Sequence, residues 1–315
     1  MDDGDIAERV LAGDRAALAR AITLVESGRA DRQERGLQLL DRCLQHTGNS
    51  IRCGITGVPG AGKSTFIEAL GLHVLDTDEE ARIAVLAIDP SSPVSGGSIL
   101  GDKTRMPRLS AHERAFIRPS PAGDTPGGVA ARTREAILLC EAAGFNRIFV
   151  ETIGVGQSEV AVASVVDFFL LLMLAGAGDE LQGMKRGVLE LADLVAFNKA
   201  DGANRERAEA ARKQLEGALS LFASHPDVVT CSARTGDGIA HIWSLAQDIV
   251  AREDIQAKRS AQAALAFERE VERTLRTRFL ANDSTRALMA SLEQEVRAFK
   301  ISPAQAARRV FQIDA

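Results

Sequence analysis

The sequence has few of the features that are typical of membrane-spanning and secreted proteins. Its longest apolar run, residues 168–175, is less than half of the roughly 20 residues that a membrane-spanning helix needs, so we interpret it as a buried strand. The acidic start, residues 1–5, is unlike a bacterial signal peptide or a transit peptide. We therefore expect a cytoplasmic protein that does not enter a membrane.

Cysteine and histidine are also scarce, and neither forms a metal-binding pattern. The cysteines are Cys43, Cys53, Cys140 and Cys231, and no two of them have C-x-x-C spacing. Three of these four lie among apolar or small residues, which favours reduced core positions over a disulfide framework. The histidines are scattered and form no His-rich tract: His46, His73, His112, His225 and His241.

An excess of basic charge is absent as well. The formal net charge is −5 and the sequence pI is about 5.7. A chain of this charge has no global positive field that would attract nucleic acid or anionic lipid. We therefore expect neither nucleic acid nor a membrane among its partners.

Three regions differ in composition along the chain. Residues 1–47 have helical periodicity and no Pro, which predicts an N-terminal helical region. Residues 48–252 alternate apolar runs with helical segments. Residues 253–315 have no Gly and are rich in Ala, Glu, Arg and Leu, which predicts long amphipathic helices. These helices could simply pack on the domain, but we favour self-association through their apolar stripes.

The middle region contains seven predicted strands, several of which are continuous apolar runs. They lie near residues 51–56, 82–88, 115–118, 146–151, 167–174, 194–198 and 227–231. Continuous apolar strands that alternate with helices indicate an α/β fold, with a mostly parallel sheet covered by helices on both faces.

A phosphate-binding loop of the pattern G-x-x-x-x-G-K-[ST] follows the first of these strands and precedes a helix. Its residues are Gly57, Val58, Pro59, Gly60, Ala61, Gly62, Lys63, Ser64 and Thr65. The glycines let successive N–H groups surround a phosphate chain at a helix N-terminus. We expect Lys63 to reach the β- and γ-phosphates and Ser64 to ligate Mg²⁺. The sequence thus predicts a P-loop nucleoside triphosphatase.

A second motif, N-K-x-D, follows the strand near 194–198 and indicates which base is bound. It consists of Asn198, Lys199 and Asp201. A carboxylate at Asp201 can accept hydrogen bonds from guanine N1–H and the 2-amino group, whereas adenine would leave it unpaired. A later turn, Ser232, Ala233 and Arg234, is placed to close over the base. The three motifs in this order predict GTP and GDP as ligands.

Acidic residues at other strand ends are candidates for the metal site. Asp89 ends a strand, where open α/β sheets bind ligands, and Asp102 lies in the long loop that follows. We predict that both lie near Mg²⁺, although Asp102 could equally be a solvated loop residue. A loop of this length in a compact domain is more often a functional switch than a connector.

The segment from Glu151 to Gly154 has the form of the D-x-x-G switch of GTPases, with Glu in place of Asp. We expect the Gly154 N–H to contact the γ-phosphate, and Glu151 to lie near Mg²⁺ or the attacking water. An acid that merely caps the next turn is the alternative.

Position 155, where Ras-like proteins carry a water-orienting Gln, is Val155, and Gln157 is two residues further on. The sequence therefore predicts slow intrinsic hydrolysis.

Four segments together resemble the MeaB/ArgK family over nearly the whole chain: G-V-P-G-A-G-K-S-T at 57–65, D-P-S-S-P-V-S-G-G-S-I-L-G-D-K-T-R-M at 89–106, E-T-I-G-V-G-Q-S-E at 151–159 and G-A-G-D-E-L-Q-G-M-K-R-G at 176–187. Members of this family are P-loop GTPases that act as chaperones of adenosylcobalamin-dependent acyl-CoA mutases, chiefly methylmalonyl-CoA mutase. The resemblance implies that the chain gates cofactor delivery and protects the mutase, with hydrolysis stimulated by the mutase. It also implies a homodimer formed by the C-terminal helices.

By the same resemblance, individual positions acquire roles. Asp89, Asp102, Glu151 and Ser64 would surround Mg²⁺. The 176–187 loop would be a third switch, with Asp179, Gln182 and Lys185 as signalling residues. Two other functions remain as alternatives. A metallocentre-insertion GTPase would carry its own Cys/His ligands, and a P-loop kinase would transfer phosphate to a small molecule or a protein.

Overall fold

The computed structural model of the chain describes residues 3–90, 105–122, 128–152, 158–176, 186–220, 222 and 225–311. The chain divides into two compact units, Met1–Ser260 and Ala261–Ala315. The first unit contains an N-terminal helical segment and a parallel sheet with its connecting helices, and the described part of the second unit is helical.

Three helices begin the first unit: α1 (Asp3–Leu11), α2 (Arg15–Val25) and α3 (Ala30–Cys43). Asp14 caps α2, because its carboxylate accepts hydrogen bonds from the N–H groups of Ala16 (2.8 Å) and Ala17 (3.1 Å). The apolar faces of these helices share a core with one face of the sheet. The predicted N-terminal helices are therefore part of the fold that packs on the sheet.

The sheet has seven strands: β1 (Ile51–Gly57), β2 (Ile83–Pro90), β3 (Ala115–Ala122), β4 (Arg147–Glu151), β5 (Phe168–Leu174), β6 (Leu194–Asn198) and β7 (Asp227–Thr230). Their order is β3-β2-β4-β1-β5-β6-β7, and every pairing is parallel. The strands predicted from the apolar runs are all present.

The third strand runs four residues beyond its predicted end, through Pro119 and Pro121. Proline cannot donate a ladder hydrogen bond, so it argues against a central strand. In the structure β3 is the edge strand and pairs only with β2 among the described strands, which is where proline is tolerated.

Further helices connect the strands: α4 (Lys63–Thr77), α5 (Pro107–Ala111), α6 (Gly128–Ala142), α7 (Ser158–Ala163), α8 (Arg186–Leu189), α9 (Arg205–Leu219) and α10 (Ile239–Arg252). Buried residues of α4 and α10 form a core with one face of the sheet, and those of α6 and α7 pack with α1–α3 on the other face. Since both faces are covered, a central strand such as β5 is apolar along its whole length.

The amino edge of the sheet carries a buried group of charges, here called the amino-edge cluster: Arg52, Glu141, Asp167 and Arg259. Arg52 donates to both carboxylate oxygens of Glu141, at 2.8 and 2.9 Å. Asp167 accepts from the guanidinium of Arg259 and from the N–H of Arg52 (2.8 Å). Burial alone would raise the pKa of Glu141, but the hydrogen bonds from Arg52 and Ser50 lower it overall. Every charge of the cluster is therefore paired.

The chain ends in three helices: α11 (Ile255–Ala281), α12 (Asp283–Arg297) and α13 (Pro303–Phe311). Asn282 caps α12 by accepting from the N–H groups of Ser284 (2.9 Å) and Thr285 (3.4 Å). The rings of Phe279 and Phe311 stack with their centroids 5.0 Å apart. The predicted C-terminal helices are thus present, and the homodimer remains a prediction.

Candidate nucleotide site

The predicted site residues meet at the carboxyl edge of the sheet. Gly57 ends β1, Asp89 lies near the end of β2, Glu151 ends β4 and Asn198 ends β6. Because all strands are parallel, these ends lie on one side of the sheet. This convergence brings together the phosphate loop, Glu151 of the segment that resembles the D-x-x-G switch, and the base motif.

The phosphate loop begins where β1 leaves the sheet, and two of its glycines are required there. Gly57 has φ +154°, and a Cβ at this position would lie 2.2 Å from the carbonyl oxygen of Leu172 on β5. Gly62 has φ +86°, and its Cβ would lie 2.9 Å from Nδ2 of Asn198. No other residue fits at either position without moving its neighbours. Helix α4 begins directly after Gly62, so its N-terminus faces the loop.

Lys63 is turned into this loop. Its ammonium donates to the carbonyl oxygens of Gly57 (2.8 Å) and Val58 (3.3 Å). Burial lowers the pKa of Lys63, while the carboxylates of Glu151 and Glu159 favour its charged form. The loop thus holds a partly buried cation beside the backbone that is expected to surround phosphate.

Ser64 and Glu151 are in direct contact. The Ser64 hydroxyl donates to Oε1 of Glu151 at 3.0 Å, and Glu151 is buried. Beneath them, the hydroxyl of Thr152 donates to that of Thr56 at 2.7 Å, which ties the end of β4 to the end of β1. The predicted metal ligands Ser64, at the start of α4, and Glu151, at the end of β4, are therefore brought together.

Asn198 joins the phosphate loop to the base loop. Its Nδ2 donates to the carbonyl oxygen of Ala61 (2.8 Å), and its Oδ1 accepts from the N–H of Ala233 (3.0 Å). Asn198 is almost completely buried. The residue that follows, Lys199, has φ +59°, a strained backbone conformation for a residue other than glycine. The N–H of Ala233 is thus bound within the protein, and Asn198 acts as a bridge between two parts of the site.

Asp201 lies between the two loops that are expected to enclose the base. Oδ1 of Asp201 accepts from the Ser232 hydroxyl at 2.9 Å, and Oδ2 accepts from the guanidinium of Arg234. Its side chain is largely buried, whereas that of Arg234 is exposed. The structure therefore brings Asp201 and the late turn together, and base reading by Asp201 remains a prediction.

Several predicted residues lie outside the described part of the chain: Asp102, Gly154, Asp179, Gln182 and Lys185. The backbone of Asp89 is described as part of β2, but its side chain is not. Pro59, Gly60 and Thr65 belong to the loop and to the start of α4. The roles of all these residues remain predictions.

Comparisons with known proteins agree with this geometry. The chain matches the family model described as methylmalonyl Co-A mutase-associated GTPase MeaB over residues 18–284. The chain belongs to the MeaB family. A probable GTPase of Mycobacterium tuberculosis is 50% identical over 317 residues, covering 98% of this chain and 94% of that protein. GTPase ArgK of Escherichia coli is 46% identical over 284 residues, covering 87% and 85%.

Two further relatives of this MeaB-family chain are a mammalian protein and a solved structure. The mouse methylmalonic aciduria type A homolog, named as mitochondrial, is 43% identical over 314 residues, covering 94% of this chain and 75% of that protein. A crystal structure of an LAO/AO transport system kinase matches with a TM-score of 0.77 and 36% identity, covering 99% and 97%. As a member of the MeaB family, the chain is a P-loop GTPase that binds guanine nucleotides. No helix in its described ranges is long and apolar enough to cross a membrane.

One acidic residue of this MeaB-family site was not predicted from the sequence. Glu159, in the first turn of α7, is 2% exposed, and it favours the charged form of Lys63. Its role could have been predicted from the sequence, because Glu159 is the last residue of the E-T-I-G-V-G-Q-S-E segment, which begins with Glu151. The phosphate loop of this protein therefore has two buried carboxylates in its electrostatic environment, Glu151 and Glu159.

The donor set at the carboxyl edge fits a magnesium ion. Mg²⁺ prefers oxygen ligands and usually binds through one or two protein groups together with substrate phosphates. The Ser64 hydroxyl and the Glu151 carboxylate supply such oxygens, 3.0 Å apart and next to the phosphate loop. When bound there, Mg²⁺ would neutralise charge on the phosphate oxygens.

Proposed function

We propose that this GTPase hydrolyses GTP to GDP and phosphate to gate adenosylcobalamin loading of an acyl-CoA mutase, and that it protects this mutase from inactivation. Methylmalonyl-CoA mutase is the partner we propose first. The supporting observation is the match over residues 18–284 to a family described as methylmalonyl Co-A mutase-associated. The proposal keeps the cytoplasmic location predicted from the sequence.

In this proposal the residues at the carboxyl edge have separate tasks. Lys63 and the loop backbone hold the β- and γ-phosphates, and Asp201 reads the guanine edge. Ser64 and Glu151 hold Mg²⁺, with Asp89 and Asp102 around the ion. The bond between Ser64 and Glu151 supports the metal assignment, and the contacts of Asp201 with the late turn support the base assignment.

Hydrolysis by the protein alone should be slow. The Val155 side chain has no group that can orient an attacking water, in contrast to the Gln of Ras-like proteins. We therefore propose that the mutase completes the site through the 176–187 loop. A partner accelerates hydrolysis only if it stabilises a loop arrangement that is rare in the free protein.

The test is the GTPase rate with and without a saturating adenosylcobalamin-dependent mutase. We expect Asp179→Ala and Lys185→Ala to keep GTP affinity and basal turnover, and to lose most of the stimulation by the mutase. Lys213→Ala, an exposed change on α9, is the matched control and should keep full stimulation. If stimulation survives both loop substitutions, the signal does not run through this loop. If the mutase neither binds nor stimulates the unmodified protein, the chaperone function itself is wrong.

We also propose that the C-terminal region, residues 253–315, forms a homodimer. Phe267, Val271 and Leu275 are spaced four residues apart on α11, so they lie on one face of the helix. Their side chains are exposed, Phe267 by 70% and Leu275 by 63%. An apolar stripe of this kind is typical of a helix that packs against a partner.

Sedimentation of the full chain tests the dimer. Phe267→Glu combined with Leu275→Glu should convert the dimer into a monomer. Arg269→Glu is the control, because a rotation of 100° per residue places Arg269 on the opposite face of α11. A monomeric unmodified protein, or a dimer that survives the double substitution, would exclude this interface.

Metallocentre insertion remains the alternative function. It requires a ligand set for the delivered metal. Within the ranges that the structure describes, no three His, Cys, Asp or Glu side chains form a group that could hold a metal ion. Titration of the protein with Ni²⁺ or Co²⁺ in the presence of GDP would detect such a site.

A further inference from the structure

A cavity of about 500 Å³ opens between α2, α3 and β3, and its lining is dominated by arginine. Four of its seven lining residues are Arg20, Arg32, Arg35 and Arg118, and the others are one threonine and two apolar residues. No carboxylate is among them. In a chain whose net charge is −5, this is a local concentration of positive charge.

Three elements of the fold bring these arginines together. On α2, Arg20 lies one turn before Leu24, and on α3, Arg32 lies one turn before Arg35. The two helices approach closely at Gly36, where a Cβ would lie 2.7 Å from the backbone nitrogen of Val25. The arginines are therefore held around one cavity by the packing of the backbone.

The fourth arginine comes from the edge strand and is anchored. Nη2 of Arg118 donates to Oε2 of Glu26 at 2.7 Å and to the hydroxyl of Thr23 at 3.2 Å. Its side chain is 22% exposed, and Glu26 is buried. These bonds fix the guanidinium of Arg118 at the side of the cavity that β3 forms.

The arginines are only partly neutralised. Arg35 pairs with Asp3, at 2.7 and 2.9 Å, and Arg118 pairs with Glu26. Arg20 and Arg32 are exposed and make no side-chain hydrogen bond or ion pair with the described residues. Two paired and two unpaired guanidinium groups leave a net charge of about +2 around the cavity, which favours an anion.

We propose that this cavity binds a small molecule that carries at least two phosphate groups. The planar guanidinium presents a fork of donors that matches phosphate oxygens in a bidentate way. The cavity volume lies within the range of roughly 300–1,000 Å³ that small ligands occupy, and Leu24 and Ala19 add apolar surface beside the charges. A concave site of this size favours a small polyanion over an acidic segment of another protein, which would need an extended face.

Isothermal titration with inorganic pyrophosphate tests the site, in full-length protein kept at saturating GDP so that the phosphate loop is blocked. We expect saturable binding, weakened about ten-fold by Arg20→Ala and again by Arg32→Ala, since each removes a charge-assisted pair. Both residues are exposed and unpaired, so the variants should fold normally. Arg252→Ala, another exposed arginine, should bind pyrophosphate as the unmodified protein does.

Three results would overturn the proposal. One is no binding of pyrophosphate in the presence of GDP. Another is release of a fluorescent GDP derivative by pyrophosphate, which would place the binding at the phosphate loop. The last is tighter binding of a hexaglutamate peptide that competes with pyrophosphate, which would indicate an acidic protein segment as the ligand.

Discussion

The two edges of the sheet both carry charged residues, but they use them differently. At the amino edge, Arg52, Glu141, Asp167 and Arg259 are buried and pair with one another. At the carboxyl edge, Lys63 is bonded to loop carbonyl oxygens, and Glu151 accepts from a serine hydroxyl. The first arrangement consists of buried ion pairs, whereas in the second these two charged side chains bond to neutral carbonyl and hydroxyl groups.

This difference separates polar groups that stabilise the fold from polar groups that can act on a ligand. A buried charge that already has an opposite charge as its partner gains little from a further ligand, and losing that partner is destabilising. A charge held by carbonyl or hydroxyl groups can exchange them for phosphate or Mg²⁺ at a small loss. We therefore expect substitutions at the amino edge to change stability, and those at the carboxyl edge to change nucleotide binding.

The largest effect should come from Asp167→Ala at the amino edge. It removes the carboxylate partner of Arg259, which keeps its bonds to the carbonyl oxygens of Gly48 and Ser50, and it removes the acceptor of the Arg52 N–H. Removing one partner of a buried pair typically lowers the free energy of unfolding by about 3–5 kcal/mol. Urea unfolding followed by circular dichroism measures this, and GTP affinity of the folded variant should be unchanged. A loss of GTP affinity without a loss of stability would contradict the comparison.

Lys63→Ala should have the second largest effect, now on the nucleotide. Two charge-assisted hydrogen bonds to phosphate are worth about 3 kcal/mol, so GTP affinity should fall by a hundred-fold or more and hydrolysis should become undetectable. Calorimetric titration with GTP gives the affinity. The free energy of unfolding in the absence of nucleotide should change less than in Asp167→Ala, because Lys63 is only partly buried and donates to backbone carbonyl oxygens.

Asp201→Asn should weaken GTP by about 2–3 kcal/mol, because the variant loses an acceptor for guanine and gains an unpaired donor. It should also gain affinity for xanthosine triphosphate, whose C2 carbonyl can accept from the new amide. Competition among ATP, GTP and XTP measures both changes. Unchanged GTP affinity in the variant would exclude Asp201 as the base reader.

Asn198→Ala, at the carboxyl edge, should lower both the free energy of unfolding and the GTP affinity. It removes the bonds to Ala61 and Ala233, and buried backbone groups without partners are destabilising by about 1–2 kcal/mol. Because those groups belong to the phosphate and base loops, GTP affinity should fall together with stability. Thermal unfolding and GTP titration of the same sample test the link, and a change in only one of them would show that Asn198 does not couple the loops.

The smallest effect should come from Arg297→Ala, which serves as a reference for surface charges. Arg297 pairs with Glu293 one turn away on α12, and both side chains are exposed. Such pairs contribute about 0.3–0.5 kcal/mol, and less at high salt. Unfolding in low and high salt measures this, and a loss above 1 kcal/mol would mean that these helices are more tightly packed than their exposure indicates.

Much of the fold and of the nucleotide site could be predicted because the signals are local. The apolar runs of β1 and β5 are contiguous in sequence, and G-x-x-x-x-G-K-[ST] encodes a complete backbone turn within eight residues. The end of β3 could not be predicted, because Pro119 and Pro121 are compatible with a strand only at a sheet edge. Edge position depends on strand order, which local sequence does not contain.

The groups that could not be predicted are built from residues far apart in the chain. The amino-edge cluster joins Arg52 to Glu141 and Asp167 to Arg259, and the arginine-lined cavity joins Arg20 and Arg32 to Arg118. Each of these residues, taken alone, is an ordinary charged residue in the sequence. Their common location follows only from the order of the strands and the packing of α2 and α3 on the sheet.

The prolines of β3 also affect how two copies of this protein can associate through the edge of the sheet. An outer strand with a free row of N–H donors can recruit a strand from another molecule and extend the sheet without limit. Pro119 and Pro121 remove two of those donors, and at the opposite side β7 is only four residues long. Both margins of the sheet are thus poor templates for strand addition. We therefore expect the proposed dimer to form through helical surfaces, where an interface between two copies is closed and leaves no open strand edge for fibre growth.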